Sequence, residues 1–222
     1  MTKTKTLRID LFTDVSCPWC LIGTARLDQA IAQLPGDVEV EVARHPFMLD
    51  PHAPKEGVVV ADMLRQKYGR DPRQMWDRVE EQARAAGVDL RMETQPMAYN
   101  TAAPHTLVRH APVARQHALG SAIANEYFLK GRNTSDPEVL ADIAVAHGFD
   151  RAEALRLVTD EAELAETHRL AADAAGQGIQ GVPFFIFNNA VAFSGGQPLG
   201  VFAQAFEMAM DPAALEAARA GG

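Results

Sequence analysis

Two stretches of strict alternation enclose a helical one, and no other feature of the 222-residue chain constrains its fold as much. Leu7, Ile9 and Leu11 alternate with polar residues, the period of a half-buried strand. Leu21, Ile22, Ala25, Leu27, Ala30, Ile31 and Leu34 then recur at helical spacing, and Pro35-Gly36 ends that helix. Val38-Glu39-Val40-Glu41-Val42 alternates again. A strand, a helix and a strand in this order predict parallel strands joined by a right-handed crossover.

The strand signal returns near the end of the chain. Phe184-Phe185-Ile186-Phe187 is a short apolar run, Asn188-Asn189 reads as a turn, and Val191-Ala192-Phe193 as the returning arm of a hairpin. A last helix carries Leu199, Phe202, Phe206 and Met210. The middle is rich in Ala, Arg, Glu and Leu and shows no strand pattern. Ser135-Asp136-Pro137-Glu138 has the form of a capping box, Asp150 with Glu153 and Asp160 with Glu163 offer two further helix starts, and Gly131, Gly148, Gly176 and Gly178 mark breaks. The order β-α-β, helical block, β-β-α lets the two flanking pieces share one mixed sheet, with the helices inserted between them.

Between the first strand and the first helix stands Cys17-Pro18-Trp19-Cys20, which holds both cysteines of the chain. At a helix N-terminus the free N–H groups and the helix dipole favour an anion. A thiolate is such an anion, so Cys17 is expected to be the more acidic, more exposed nucleophile. Pro18 suits the first turn, where its missing N–H costs nothing. Cys20, one turn on, is placed to resolve a mixed disulfide formed at Cys17. Zinc would need two more ligands, and neither a second Cys pair nor a histidine pair stands near the motif. A structural disulfide closing so short a loop would constrain little of the unfolded chain.

Composition narrows the partners. A formal net charge of -8 without a basic stripe argues against nucleic acid. No run is long enough to span a membrane, and the opening Met1-Thr2-Lys3-Thr4-Lys5 leads into Arg8 and Asp10 rather than an apolar signal stretch. The chain therefore reads as cytoplasmic, where thiols are kept reduced and a lone Cys pair points to chemistry rather than stapling.

Gly181-Val182-Pro183 precedes the Phe184 strand, and by itself Pro183 reads as an ordinary strand-start proline. Taken with the rest of the chain it carries a resemblance. Asp14-Val15-Ser16-Cys17-Pro18-Trp19-Cys20 with Ile22-Gly23, Pro46-Phe47 with Leu49 and Pro51, Asn100-Thr101 with His105, Ser135 to Leu140, and Gly181-Val182-Pro183-Phe184-Phe185 with Ser194-Gly195 resemble the DsbA-like branch of the thioredoxin superfamily, and more narrowly its FrnE-type members. The resemblance implies an α/β, thioredoxin-like fold in two parts, residues 1–57 and 179–222, with a large all-helical insertion over residues 58–178. It implies a cis Val182–Pro183 bond lying against Cys17, and a Val182 backbone that pairs with an extended peptide or with glutathione. DsbA relatives carry His between the cysteines; with Pro18-Trp19 there instead, a less oxidising couple is expected.

The expected function is thiol-disulfide exchange with protein or small-molecule thiols and disulfides, with no bound cofactor or metal and with glutathione as a candidate co-substrate; a homodimer is left open. The alternative is a glutathione-dependent isomerase or a kappa-like glutathione transferase. Those relatives use one nucleophile, so Cys20 speaks against them. A peptide-binding module without chemistry would leave the Cys pair unexplained. Pro18 and Trp19 are expected to face substrate. Ser194, Gly196 and Gln197, in the turn before the last helix, are candidates for holding a carboxylate of glutathione or substrate; otherwise they make a tight turn and nothing more. Phe47, Met48 and Leu49 are read as groove or core, Asn100 as a helix cap, His105 as a cap or core residue, and Met63, Met75, Met97 and Trp76 as core of the helical block.

Overall fold

Strand β1 (Lys5–Thr13) owes its central place to Leu7, Ile9 and Leu11, which are fully buried on one face. The computed structural model describes residues 5–69, 71–211 and 213. Helix α1 (Pro18–Ile31) follows β1 and leads into β2 (Val38–Pro46), which pairs with β1 in parallel, Leu7 against Val40 and Leu11 against Arg44. Strands β5 (Phe184–Phe187) and β6 (Val191–Ser194) form the C-terminal hairpin. β5 lies antiparallel to β1, Leu11 against Phe185, so the sheet is mixed and runs β2-β1-β5-β6. Three residues, Asn188 to Ala190, join the paired Phe187 and Val191; Asn188 and Asn189 both take positive φ, 48° and 54°, as the central pair of a primed turn does, and the Ala190 N–H closes it on the Phe187 carbonyl at 2.9 Å.

One face of the sheet is closed by α1 and by the last helix, α9 (Leu199–Met210). Leu7, Ile9, Leu11, Leu27, Phe185, Phe187, Phe202 and Phe206 interlock there, with Phe185 and Phe202 edge to face at 5.1 Å. Each fully buried side chain of this size contributes roughly 1.5–3 kcal/mol. Against the other face lie Phe47 and Ile179, with Phe12, Val182 and Phe184 packed on them.

Between β2 and β5 come α2 (Val60–Tyr68), α3 (Pro72–Ala85), α4 (Ala102–His110), α5 (Val113–Lys130), α6 (Pro137–Ala146), α7 (Arg151–Thr159) and α8 (Glu161–Gly176). Asp150 and Asp160 cap α7 and α8 through the N–H groups of Glu153 and of Ala162 and Glu163. At α6 the capping residue is Asp136 rather than Ser135. Pro137 takes the first helical position, so the residue before it receives the Glu138 N–H, while the Ser135 hydroxyl donates to Asn133 Oδ1 at 2.7 Å. The block is also not purely helical. β3 (Val58–Val59) and β4 (Met97–Ala98) pair antiparallel, each too short for alternation to show in the sequence. The largest apolar cluster joins this block to α1: Val15, Leu21 and Ile22 pack with Leu107, Ile123 and Leu140.

Candidate active site

Cys17 is the N-cap residue of α1, with extended backbone angles of −91° and 111°, and Pro18 opens the helix. The Cys17 carbonyl accepts from the N–H of Cys20 at 3.0 Å and of Leu21 at 3.3 Å, which fixes the first turn. Its thiol makes no capping bond and remains free for chemistry. It donates instead to the Val182 carbonyl at 3.6 Å, a contact spanning 165 positions of sequence. The Val182–Pro183 peptide bond is cis. Gly23, one turn beyond Cys20, lets Pro183 come this close: a Cβ built there would stand 2.7 Å from Pro183 Cγ. The Pro183 carbonyl in turn accepts the Gly195 N–H at 2.7 Å, tying the turn before α9 to the same loop.

Both cysteines are free thiols, and each is only 4% exposed, so exposure does not tell them apart as the sequence suggested. Direction does. Cys17 lines a cavity of about 620 Å³ between α1 and the helical block, with Pro18, Trp19 and Val182 beside it. Cys20 lines a separate cavity of about 300 Å³ on the other side of α1. Burial and the neighbouring Cys17 push the Cys20 thiol well above the usual thiol range, while a backbone hydrogen bond from Asp14 opposes them.

The wall facing Cys17 comes from α2 and α3, and here the sequence reading needs correction. Met63, Met75 and Trp76 line the cavity and are only half-buried, so they are not simply core. Tyr68 and Tyr99 join them. Trp19 is half-buried, with the Arg78 guanidinium 6.0 Å from its ring centre. Of Phe47-Met48-Leu49 only Leu49 reaches the cavity; the other two are buried in separate clusters. Asn100 accepts the Ala102 N–H and donates to the Ala53 carbonyl, holding the start of α4 against the loop after β2.

Ser194, Gly196 and Gln197 do not line that cavity. Some of their polar groups serve the fold: the Gly196 carbonyl accepts from Arg26, and the Gln197 amide donates to the Ser194 carbonyl at 2.8 Å. Gly196 lies against Gly23 and Ile22, so it serves a close approach to α1. Asp14, Arg44 and His105 surround Cys20 without any mark in the sequence beyond Asp14 and His105 falling within the resembling segments. Among the described residues no cluster of three or more His, Cys, Asp or Glu side chains could hold a metal, and no helix is long and apolar enough to cross a membrane.

A family model describing a DSBA-like thioredoxin domain matches residues 8–207. A probable DsbA oxidoreductase from Streptomyces coelicolor is 35% identical, with a TM-score of 0.80 over 91% of this chain and 89% of its own. A 2-hydroxychromene-2-carboxylate isomerase is 16% identical, with a TM-score of 0.68 over 90% of this chain and 94% of its own. The cytosolic disulfide reductase DsbM from Pseudomonas aeruginosa, solved with glutathione, is 18% identical, with a TM-score of 0.55 over 80% of this chain and 84% of its own. At 16% and 18% the likeness is one of fold. No curated protein matches the chain.

Proposed function

The chain belongs to the DsbA-like thioredoxin family and is an oxidoreductase, and on that premise we propose that it exchanges disulfides with protein or small-molecule thiols through Cys17 and Cys20, as a FrnE-type member working in the cytoplasm. The observation that carries this reading is the placing of the two thiols on one helix turn. Cys17 sits at the positive end of α1, facing the larger cavity and touching the Val182 carbonyl; Cys20 stands one turn on, its thiol beside that of Cys17 and at the wall of the second cavity. Cys17 attacks the substrate disulfide, Cys20 resolves the mixed disulfide, and Pro18, Trp19, Val182 and Pro183 frame the substrate. Once Cys17 is bonded to substrate its thiol proton is gone, and the Val182 carbonyl is released to accept from a substrate N–H.

Glutathione is a candidate co-substrate, supported by the glutathione-bound relative of the same fold. The reading needs no bound cofactor. Insulin reduction by wild type, Cys17→Ser and Cys20→Ser tests it. Wild type is expected to turn over, Cys17→Ser to be inactive, and Cys20→Ser to accumulate a mixed disulfide visible by mass spectrometry. Full activity in Cys20→Ser would mean a one-thiol mechanism, as the glutathione-dependent alternative expects, and would overturn the proposal.

A further inference from the structure

Disulfide exchange through this pair leaves one proton unaccounted for. Cys20 must attack as a thiolate, yet burial and Cys17 keep it protonated at neutral pH. The cavity it lines carries several polar and charged side chains, Asp14, Arg44, His45 and His105 among its walls. A cavity of about 300 Å³ with several polar partners has room for ordered water.

These groups differ in what they can accept. Burial works against ionisation of Asp14, but the neighbouring His105 and the N–H groups of Leu49 and Ser16, at 2.7 and 3.1 Å, outweigh it and hold the carboxyl below its usual range. Asp14 is thus a fixed anion and a weak base. Arg44, buried on β2 and bonded to Ser121 on α5 at 2.9 Å, is a cation within electrostatic reach of Cys20. Asp28 on α1 is committed to His117 at 2.6 Å, and His45 to Asp10 at 2.7 Å. His105, from α4, is different. It is 5% exposed, its Nε2 has no hydrogen-bond partner, and that atom lies 3.7 Å from Asp14 Oδ1.

The geometry points to His105, held by Asp14, as the group that takes the Cys20 proton through water in this cavity. The inference rests on the disulfide-exchange reading. With Nε2–H directed at Asp14, the Nδ1 lone pair is the acceptor. The Cys20 S–H bond breaks and its proton passes by way of water to Nδ1, giving an imidazolium beside a carboxylate. The Cys20 sulfur pair forms the bond to Cys17 Sγ, and the bond from Cys17 to the substrate sulfur breaks. The substrate leaves as a thiolate: two protein thiols are oxidised and one substrate disulfide is reduced. His105 then returns its proton to water.

The test uses dithiobis-nitrobenzoate, whose thiolate is coloured. The reduced protein releases one equivalent when Cys17 attacks and a second when Cys20 resolves. In wild type the second release is expected to depend only weakly on pH from neutrality upward, because a base other than the thiol's own ionisation carries it. In His105→Gln it is expected to slow by about 10²-fold near neutrality and to climb with pH instead, while the first release stays within about twofold as the internal reference. A second release in His105→Gln that keeps both the wild-type rate and profile overturns the inference. Should that variant not fold, the wild-type profile decides: a rise of about tenfold per pH unit from neutrality into the thiol range also overturns it. If wild type releases only one equivalent, disulfide exchange itself fails, and this inference with it.

Discussion

Cys20 has a measurable effect on stability as well as on chemistry. Its thiol titrates higher in the folded, reduced protein than in the unfolded chain because of burial and Cys17. Raised in the folded state, it stabilises fully below the unfolded value, and that stabilisation is lost as pH rises through the folded one. Above the ordinary thiol range the cost approaches about 1.4 kcal/mol per pH unit. Urea midpoints of the reduced protein should therefore fall more steeply above about pH 9 in wild type than in Cys20→Ala. Parallel slopes would show that Cys20 titrates as it does in the unfolded chain. Iodoacetamide mapping by mass spectrometry gives a second check, with Cys20 unmodified at about pH 8 until the chain is unfolded.

Among the elements, α1 is the one on which the site depends, and its packing on the Pro183 loop is tight. Gly23 faces Pro183 Cγ and, at 3.3 Å from a built Cβ, Phe185 Cζ. Gly23→Ala must displace the loop or the helix, a strain of about 1–3 kcal/mol. A drop in thermal midpoint together with weaker substrate turnover is expected. Unchanged stability would show that the loop yields freely. The strands and helices that carry this contact were legible because their periods are strong: Leu7 to Leu11 and Val38 to Val42 alternate, and Asp150 and Asp160 cap where the pattern places them. Its partner contacts were not, because Val182 and Cys17 meet across 165 positions and local periodicity carries no such information. For the same reason Met63, Met75 and Trp76 read as core. An apolar wall and an apolar interior share one composition, and only the tertiary arrangement leaves the first open to a ligand.

In the whole molecule, the helical block and the sheet domain share their largest apolar cluster, so neither has a core of its own at that boundary. Cooperative unfolding as one unit is expected. The two tryptophans give a way to see it, since Trp19 lies on α1 and Trp76 on α3. In Trp76→Phe, Trp19 fluorescence follows the site, while far-UV circular dichroism is weighted toward the helical block. The two thermal midpoints should coincide. A separation beyond about 4 °C would mean that the block melts independently. The sequence announced the insertion but could not show this sharing: Val15, Leu21 and Ile22 follow the same helical period whether they face solvent, sheet or a second group of helices.

The two neighbouring thiols open onto different chambers, Cys17 onto an apolar one walled by α2 and α3 and Cys20 onto a more polar one walled by β2, α4 and α5. Selection can act on these chambers separately. Substitutions at Met63, Tyr68 or Met75 change which molecules fit beside Cys17 without touching the groups around Cys20. Descendants of one ancestor could diverge in diet while inheriting the same engine.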